Sequence, residues 1–355
     1  MRLHIFNPSH DEALSADSAY YYPTAAARTL EHTLAALPAV MAETGDCVYL
    51  PQGAVGFTDT SNSAEGATWR RGVCFVRNDS LTPAFWDKVT EIAPWGWDKL
   101  LRHRLRRAGC PERLLPSDAQ LAETRRLSSR ETAVLLLPRL RRKTGFASVG
   151  ENTLCRTAAE VRKKVGLWGG LMAKSLWSCS GRGVYRLGTE SKESAWNRTA
   201  RLLREQGAVE CEPFYNARLN FAMEFTALSG GSVTYDGLSL FRASAAGAYG
   251  GNVVATQERL ESIIAPTCGL SAVMLHDLAH TLCGELAYLL GGRYTGPLGV
   301  DMMAVGAEDG GTVLHPCVEV NLRRTMGHVA LAMAAKMANA DALPEALGKM
   351  WYFCP

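Results

Sequence analysis

The chain has 355 residues, of which 47% are hydrophobic and 21% are charged, and its formal net charge is +3. This composition is typical of a globular protein of two or three domains, and so small a charge does not indicate nucleic acid or an anionic membrane as a partner. The sequence begins without an apolar leader, contains no apolar run near the roughly eighteen residues that span a bilayer, and has no C-x-x-C pair. We therefore expect a cytoplasmic protein with reduced thiols.

Short apolar strands alternate with helices in the first part of the chain. Strands are predicted at residues 3–6, 47–51, 72–76 and 113–116, and helices at 24–44 with a break at Pro38, at 85–92 and at 97–108. Thr24 is the expected N-cap of the first of these helices. The alternation predicts a small α/β domain with a parallel sheet. Asn7, His10 and Asp11 follow the first strand, where such sheets bind ligands and where turn-forming residues are also common.

Capping residues mark a new unit near residue 117. Ser117 and Asp118 precede one predicted helix, and Ser128 with Glu131 forms the capping pattern of the next. The first domain is therefore predicted to comprise residues 1–117.

A lysine then precedes a loop of serines and glycines. Lys174 ends a predicted strand at 171–174, and the loop after it contains Ser178, Ser180, Gly181, Arg182 and Gly183. The backbone N–H groups of such a loop suit phosphate oxygens, and the lysine supplies a point charge for the same phosphates. The lysine precedes the glycines, so this segment is not a P-loop, and a plain hairpin turn has a similar composition.

The middle of the chain continues with an amphipathic helix at 194–206 and an extended segment at 209–215. The extended segment is also consistent with an edge strand that packs through aromatic residues. A loop at 247–252 with a conformationally permissive backbone follows a strand-rich stretch. Candidate contacts to a substrate or a phosphate in this region are Arg242, Tyr249 and Asn252. Long helices are predicted at 271–290 and 326–339.

Two strands near the C-terminus carry polar side chains in a row. On the strand predicted at 315–324, Glu319, Asn321 and Arg323 share one face because successive side chains alternate. Carboxylate and amide oxygens suit Mg²⁺, which shares its oxygen ligands with phosphate, and an arginine beside them could hold charge on a transferring phosphoryl group. Asp301 lies on the preceding strand, and the long loop between the strands does not fix which way it faces. An ordinary amphipathic hairpin would show a similar pattern.

The G-V-D sequence at 299–301, followed by E-x-N-x-R at 319–323, resembles the metal-binding hairpin of the ATP-grasp superfamily. D-alanine–D-alanine ligase and biotin carboxylase are members of that superfamily. The order of segments is also similar, from about residue 118 to 340. The resemblance implies an α/β fold with α+β elements: a small parallel α/β N-terminal domain (1–117), a central ATP-grasp subdomain with a glycine-rich lid (118–208), and a C-terminal subdomain with the metal site (209–355).

The same resemblance implies roles for particular residues. Arg130 stands where related ligases carry a first lysine, and Lys174 and the loop 178–183 would bind the ATP phosphates. Glu212, Phe214 and Tyr215 would surround the adenine, and Asn220 occupies the position at which an acid often holds the ribose. The metal ligands would be Asp301, Glu319 and Asn321, and the catalytic side chains would be Arg323 and Lys174.

The activity implied is ATP- and Mg²⁺-dependent ligation of a small carboxylate to an amine or a thiol through an acyl phosphate. The loop sequence W-S-C-S-G-R-G differs from that of the well-known ligases and suggests a separate branch. Two alternatives stay open. Some relatives use the same nucleotide site as phosphotransferases, and His276 with His280 has the i, i+4 spacing of a helical zinc site, which would suit a zinc hydrolase.

Overall fold

The structure is a computed structural model that describes residues 1–54, 72–178, 183–243, 249–307, 310–338 and 351–353. The strands are β1 (Arg2–Ile5), β2 (Cys47–Tyr49), β3 (Cys74–Val76), β4 (Glu91–Pro94), β5 (Thr153–Cys155), β6 (Leu171–Ser175), β7 (Val184–Leu187), β8 (Val209–Pro213), β9 (Ala217–Ala227), β10 (Val233–Ala243), β11 (Tyr249–Val254), β12 (Gly296–Gly306), β13 (Thr312–Asn321) and β14 (Trp351–Phe353). The helices are α1 (His10–Ala16), α2 (Ala25–Thr33), α3 (Pro83–Trp86), α4 (Lys99–Arg107), α5 (Asp118–Leu127), α6 (Glu131–Lys143), α7 (Ala158–Trp168), α8 (Glu193–Gln206), α9 (Gln257–Thr267), α10 (Ala272–Leu290) and α11 (Met326–Ala338).

The chain divides into two compact units. Unit 1 contains Met1–Arg125, Val253–Thr256 and Arg323–Pro355, and unit 2 contains Arg126–Asn252 and Gln257–Leu322. The structure therefore places α11 with the N-terminal segment, whereas the sequence assigns it to the last subdomain.

Unit 1 is built on a parallel sheet with the strand order β3-β2-β1-β4. Its core includes Leu3 and Ile5 of β1 and the fully buried ring of Trp86. Helix α11 contributes Val329 to a second cluster that contains the rings of Phe6 and Trp95. The predicted parallel α/β arrangement of the N-terminal region is confirmed.

Two predicted elements of unit 1 are wrong. Residues 85–92 were expected to be one helix, but the helix ends at Trp86 and residues 91–94 form β4, which pairs with all four residues of β1. The short strand expected at 113–116 is instead a 3-10 helix at Glu112–Leu114. Pairing with β1 overrides local helix propensity in the first case, and Pro111, which precedes the 3-10 helix, starts a turn in the second.

Thr24 and Pro38 act as the sequence predicts. The Thr24 hydroxyl accepts a hydrogen bond from Ala27 N at 3.3 Å and caps α2. The helix stops at Thr33, and Pro38 lies in the first turn of a separate 3-10 helix. Proline is tolerated there because the first N–H groups of a helix have no intrahelical partner.

Unit 2 contains two antiparallel arrangements. The smaller sheet has the order β5-β8-β6-β7 and packs on α7 and α8 through a core that includes Val161, Leu171, Leu187, Leu202 and Val209. The larger sheet has the order β13-β12-β9-β10-β11, and α9 and α10 pack on β10. Helix α6 packs against both β13 and α10. Together with unit 1, this confirms a mixed α/β fold with one parallel and two antiparallel sheets.

No single helix in the described part of the chain has the length and apolar composition to cross a membrane; α9 and α10 meet both criteria only as a pair, and the pair is bent by 99°.

Candidate active site

Two neighbouring strands of unit 2 bring one lysine and two acids together. On β8, Val209 and Cys211 belong to the hydrophobic core, so Glu210 and Glu212 lie on the opposite face. Lys174 of β6 is directly opposite Glu210 in the strand register. The Lys174 Nζ lies 2.7 Å from Glu212 Oε1 and 3.9 Å from Glu210 Oε1. All three charged side chains are buried, so the lysine is compensated inside the protein and not by solvent.

Arg130, which immediately precedes α6, joins this cluster. Its backbone N–H donates to Leu176 O at 3.1 Å, and its Nε donates to Ser175 O at 2.9 Å. These two bonds hold the guanidinium at the end of β6. The Nη1 atom then lies 3.0 Å from Glu319 Oε2 and 3.8 Å from Glu210 Oε2. Arg130 therefore links β6 and β8 to the acid of β13.

The register of the C-terminal hairpin settles which way Asp301 faces. Asp301 of β12 pairs directly with Glu319 of β13, and Gly299 pairs with Asn321. Residues that face each other across an antiparallel pair share one side of the sheet. Asp301, Glu319 and Asn321 are therefore on the same side, and their carboxylate and amide oxygens form a donor set that suits Mg²⁺.

Burial and charge shift the pKa values of this cluster in opposite directions. Burial raises the pKa of Glu210 to about 7, because the attraction of Lys174 only partly offsets it and the charge of Glu212 adds to it. Burial lowers the pKa of Lys174, but the facing carboxylates of Glu210 and Glu212 outweigh it, so the lysine pKa lies above its ordinary value. Arg130 behaves in the same way: its pKa is raised, because its facing carboxylates, Glu319 first, outweigh its burial. Both cations are thus charged at neutral pH.

Cys317 is a fully buried thiol on β13 beside the same acids. Burial, followed by the charges of Glu210 and Asp301, raises its pKa well above the ordinary value. The thiol is therefore protonated at neutral pH and is not an activated nucleophile.

His315 is a fully buried imidazole on the same strand. Burial, followed by the charge of Lys174, lowers its pKa to about 3, so the ring is neutral at neutral pH. Its ring packs edge to face against Tyr215, with centroids 5.2 Å apart. A Cβ at Gly150, which has φ +125°, would lie 2.8 Å from His315 Nε2, so this glycine permits the backbone to approach the ring.

The residues expected to contact adenine and ribose are spread along β8 and β9. The Phe214 ring is 52% exposed, and the Arg186 guanidinium lies over it at 4.0 Å. Tyr215 accepts a hydrogen bond from the backbone N–H of Glu151 at 2.9 Å. Asn220 is half-buried on β9. The Glu212 carboxylate is paired with Lys174, so its contact with adenine stays a prediction.

The serine- and glycine-rich loop is described at its two ends. Ser180, Gly181 and Arg182 lie outside the described residues. Ser175 N donates to Gly183 O at 3.0 Å, which closes the base of the loop. A Cβ on Gly183 would collide with the hydroxyls of Ser175 and Ser178, so glycine is required at this position.

Arg323 is not on the strand face predicted for it. Strand β13 ends at Asn321, and Arg323 belongs to unit 1. Its Nε donates to Asp11 Oδ2 at 2.9 Å, and both side chains are largely buried. Side chains alternate between two faces only within a strand, and β13 ends before Arg323. The prediction that Arg323 shares a face with Glu319 is therefore wrong. Its catalytic role stays a prediction.

The side chains of Asn7 and His10 make contacts inside unit 1. Asn7 Nδ2 donates to Gly96 O at 2.8 Å and to Asp98 Oδ2 at 3.1 Å, and His10 Nδ1 lies 3.2 Å from the same carboxylate oxygen. Asp98 also caps α4 through Leu101 N. These contacts connect the loop after β1 to the loop after β4.

The candidate substrate residues flank a segment outside the described residues, 244–248. Arg242 is exposed on β10. Tyr249 donates to Asn252 Oδ1 at 2.5 Å, and Asn252 is buried. Their contact with a substrate stays a prediction.

The two histidines of α10, His276 and His280, have different neighbours. His276 Nε2 lies 3.1 Å from Glu261 Oε1, and His280 lines a separate cleft with Arg139 and Lys143. In the described part of the chain, no three or more His, Cys, Asp or Glu side chains are grouped to hold a metal ion.

Sequence reasoning missed Glu210. The signal was present in Val209-Glu210-Cys211-Glu212, in which apolar and acidic residues alternate. Because side chains alternate along a strand, Glu210 lies on the same face of β8 as Glu212.

Comparisons with known proteins were made by sequence and by structure. No family model and no curated protein matches the sequence. Solved structures do match. N5-carboxyaminoimidazole synthetase from Staphylococcus aureus, complexed with ADP, has 11% identity and a TM-score of 0.47 over 97% of this chain and 78% of that chain. The biotin carboxylase domain of the Hydrogenobacter thermophilus 2-oxoglutarate carboxylase, complexed with MgADP, ADP and bicarbonate, has 12% identity and a TM-score of 0.49 over 99% and 72%.

D-alanyl-alanine synthetase A from Vibrio cholerae is also similar, with 13% identity and a TM-score of 0.41 over 72% of each chain. The identities and TM-scores of these matches are low, so the roles of the site residues depend on this chain's own contacts.

Proposed function

We propose that the cluster in unit 2 binds ATP with Mg²⁺ and that the protein is an ATP-dependent ligase. It would activate a small carboxylate and join it to an amine or a thiol. The observation that carries this proposal is the buried group of Arg130 and Lys174, which three acids hold charged at the end of β6, with Asp301 facing Glu319 on the hairpin.

The two cations suit an anionic ligand that exchanges places with the acids. Arg130 and Lys174 are compensated by Glu210, Glu212 and Glu319 in the structure described here. Phosphate oxygens are alternative partners for a guanidinium fork and an ammonium. ATP entering this site would take over part of that compensation, and the acids would then become available as metal ligands.

The metal donors would be Asp301, Glu319 and Asn321. The atoms of these side chains that can bind a metal are all oxygens and lie on one side of the hairpin, which fits Mg²⁺ better than zinc. When bound, the cation would neutralise the phosphates during phosphoryl transfer.

In the proposed reaction, a substrate carboxylate oxygen attacks the γ-phosphorus of ATP, and the bond to the bridging oxygen breaks to release ADP. An amine or a thiol then attacks the acyl carbon, loses its proton, and expels inorganic phosphate. No protein nucleophile takes part, which is consistent with the protonated, buried thiol of Cys317. Arg130 and Lys174 would orient the phosphates and counter their charge.

The test is a coupled assay of ADP and phosphate. The protein is incubated with Mg-ATP and pools of carboxylic acids, with hydroxylamine as a general acceptor that traps acyl phosphates as hydroxamates. A ligase produces ADP, phosphate and hydroxamate in equal amounts, and only when an acid is present. Formation of ADP without phosphate would indicate the phosphotransferase alternative.

Two variants make the test specific to this site. Lys174→Met should abolish acid-dependent ADP formation, whereas Lys163→Met, which changes an exposed lysine of α7, should not. Turnover that is equal in both variants would disprove the role given to Lys174. Failure of Mg-ATP to bind the parent protein in a calorimetric titration would disprove the nucleotide site as a whole.

A further inference from the structure

A second cleft lies between α6 and α10 of unit 2. The cleft has a volume of about 340 Å³ and is lined by Arg139, Lys143, His280, Thr281, Glu285 and Tyr288. Small-molecule sites commonly have volumes of roughly 300–1,000 Å³, so this cleft has room for a small metabolite. None of the residues given to the nucleotide site lines it.

A buried acid organises the floor of the cleft. Glu285 is only 2% exposed, and its two carboxylate oxygens bind different cations, Oε2 the Arg139 Nε and Oε1 the Lys143 Nζ. Arg139 and Lys143 are four residues apart on α6 and therefore share one face of the helix. One carboxylate faces two cations, so these three side chains carry a net positive charge of one.

The guanidinium of Arg139 is held in a fixed orientation. Its Cζ lies 4.2 Å from the centroid of the Tyr288 ring, and its Nε is bound to Glu285. The two Nη groups of Arg139 make no hydrogen bond to any residue that the structure describes. A guanidinium that is fixed at one edge and stacked on a ring presents its other edge as a preformed fork for an oxyanion.

A structural link between the two helices would need only one cation for one acid. That role does not explain the second cation, Lys143, or the stacking of Arg139 on the Tyr288 ring. It also does not explain the open volume beside these side chains. We propose that the cleft is a binding site for a small multivalent oxyanion, either a polycarboxylate or a phosphate compound. Arg139 would bind an oxyanion group through its Nη edge, and Lys143 and His280 would contact the remaining oxygens.

The experiment is a calorimetric titration in the absence of nucleotide, at constant ionic strength set with chloride. Inorganic phosphate and citrate are the two probes, and their relative affinity indicates whether the natural ligand is a phosphate or a carboxylate. Lys143→Gln should weaken binding roughly tenfold, the effect of losing one charge-assisted contact. This variant keeps the bond between Arg139 and Glu285, so the interhelical link and the fold are retained.

Arg142→Gln is the matched control. Arg142 is an exposed residue of the same helix and does not line the cleft, so its loss changes the net charge equally. Its affinity for the probe should equal that of the parent. Equal affinities for Lys143→Gln and Arg142→Gln, or no binding of either probe to the parent, would overturn the proposal.

A third variant distinguishes this cleft from the nucleotide site, which also attracts phosphate. Binding to the cleft should persist in Lys174→Met at a temperature at which circular dichroism shows this destabilised variant to be folded, because Lys174 lies on β6 and not on α6 or α10. If phosphate and citrate binding both disappear in the folded variant, the anion site is the nucleotide cluster and the cleft proposal is wrong. The proposed ligase activity is unaffected by any result for Lys143.

Discussion

The Nη1 atom of Arg130 lies 3.0 Å from Oε2 of Glu319, so the acid assigned as a metal ligand is already paired with a cation. Arg130 is 6% exposed and is fixed through Ser175 O, which gives the pair a definite geometry. A divalent cation that binds Glu319 competes with this guanidinium for the carboxylate. Phosphate oxygens could receive it, which would couple metal binding to nucleotide binding.

We therefore expect the parent protein to bind Mn²⁺ weakly without nucleotide and much more tightly with a non-hydrolysable ATP analogue. Arg130→Gln should bind Mn²⁺ more tightly than the parent when nucleotide is absent, because Glu319 then has no competing cation at 3.0 Å. Paramagnetic resonance of free Mn²⁺ measures both quantities. Arg142→Gln, which changes an exposed arginine of α6, is the control. Unchanged Mn²⁺ affinity in Arg130→Gln would show that the pair does not compete with the metal.

Lys174→Met should destabilise the protein strongly. The lysine is 4% exposed and lies between Glu210 and Glu212, so its removal leaves the buried Glu212 without its cation and Glu210 with Arg130 alone. Breaking a buried ion pair in this way costs ~3–5 kcal/mol, whereas an exposed substitution such as Lys163→Met stays within ~0.5 kcal/mol. Urea denaturation measures the difference. If Lys174→Met is as stable as Lys163→Met, the acids are neutral in the folded protein.

Glu319→Gln should separate function from stability. Glutamine keeps an oxygen that can accept from Arg130, and Glu210 Oε2 remains 3.8 Å from the same guanidinium, so we expect a loss of only ~1 kcal/mol. Acid-dependent ATP turnover should fall at least 100-fold, because the metal loses a charged ligand. A variant that melts several degrees lower but retains the parent turnover would identify Glu319 as a structural acid.

Much of this site can be predicted from the sequence, because its residues lie on strands in which apolar and polar residues clearly alternate. Lys174 at the end of β6 and the Asp301–Glu319 hairpin follow from local patterns. The register that sets Asp301 opposite Glu319 does not, because it depends on pairing across a long loop. The contact between Arg130 and Glu319 joins residues 189 positions apart and is created by tertiary packing alone.

The errors have the same origin. The sequence places Arg323 on the face of Glu319 because alternation has no internal signal for the end of a strand. It reads Glu91 and Ile92 as helical because only pairing with β1 makes them part of a strand. The sequence does not indicate a role for Glu285, because an acid on a helix is usually exposed. In the structure this acid is buried and paired with Arg139 and Lys143.

His315 should make the stability of the protein depend on pH. Burial and the charge of Lys174 lower its pKa from 6.5 to about 3 in the folded state. Between these values the unfolded chain binds a proton that the folded protein does not, so the free energy of unfolding falls as the pH falls from about 6.5 towards 3. From pH 7 to about pH 5 this single group should remove ~2 kcal/mol of stability.

The measurement is the free energy of unfolding of parent and His315→Gln at both pH values, from urea denaturation. The parent should lose ~2 kcal/mol more than the variant, because glutamine cannot take up the proton in the unfolded chain. His280→Gln is the control, since this histidine is exposed on α10. It should show the full acid sensitivity of the parent. If His315→Gln is equally sensitive, the acid response comes from another group, and the imidazole of His315 is accessible to protons in the folded protein.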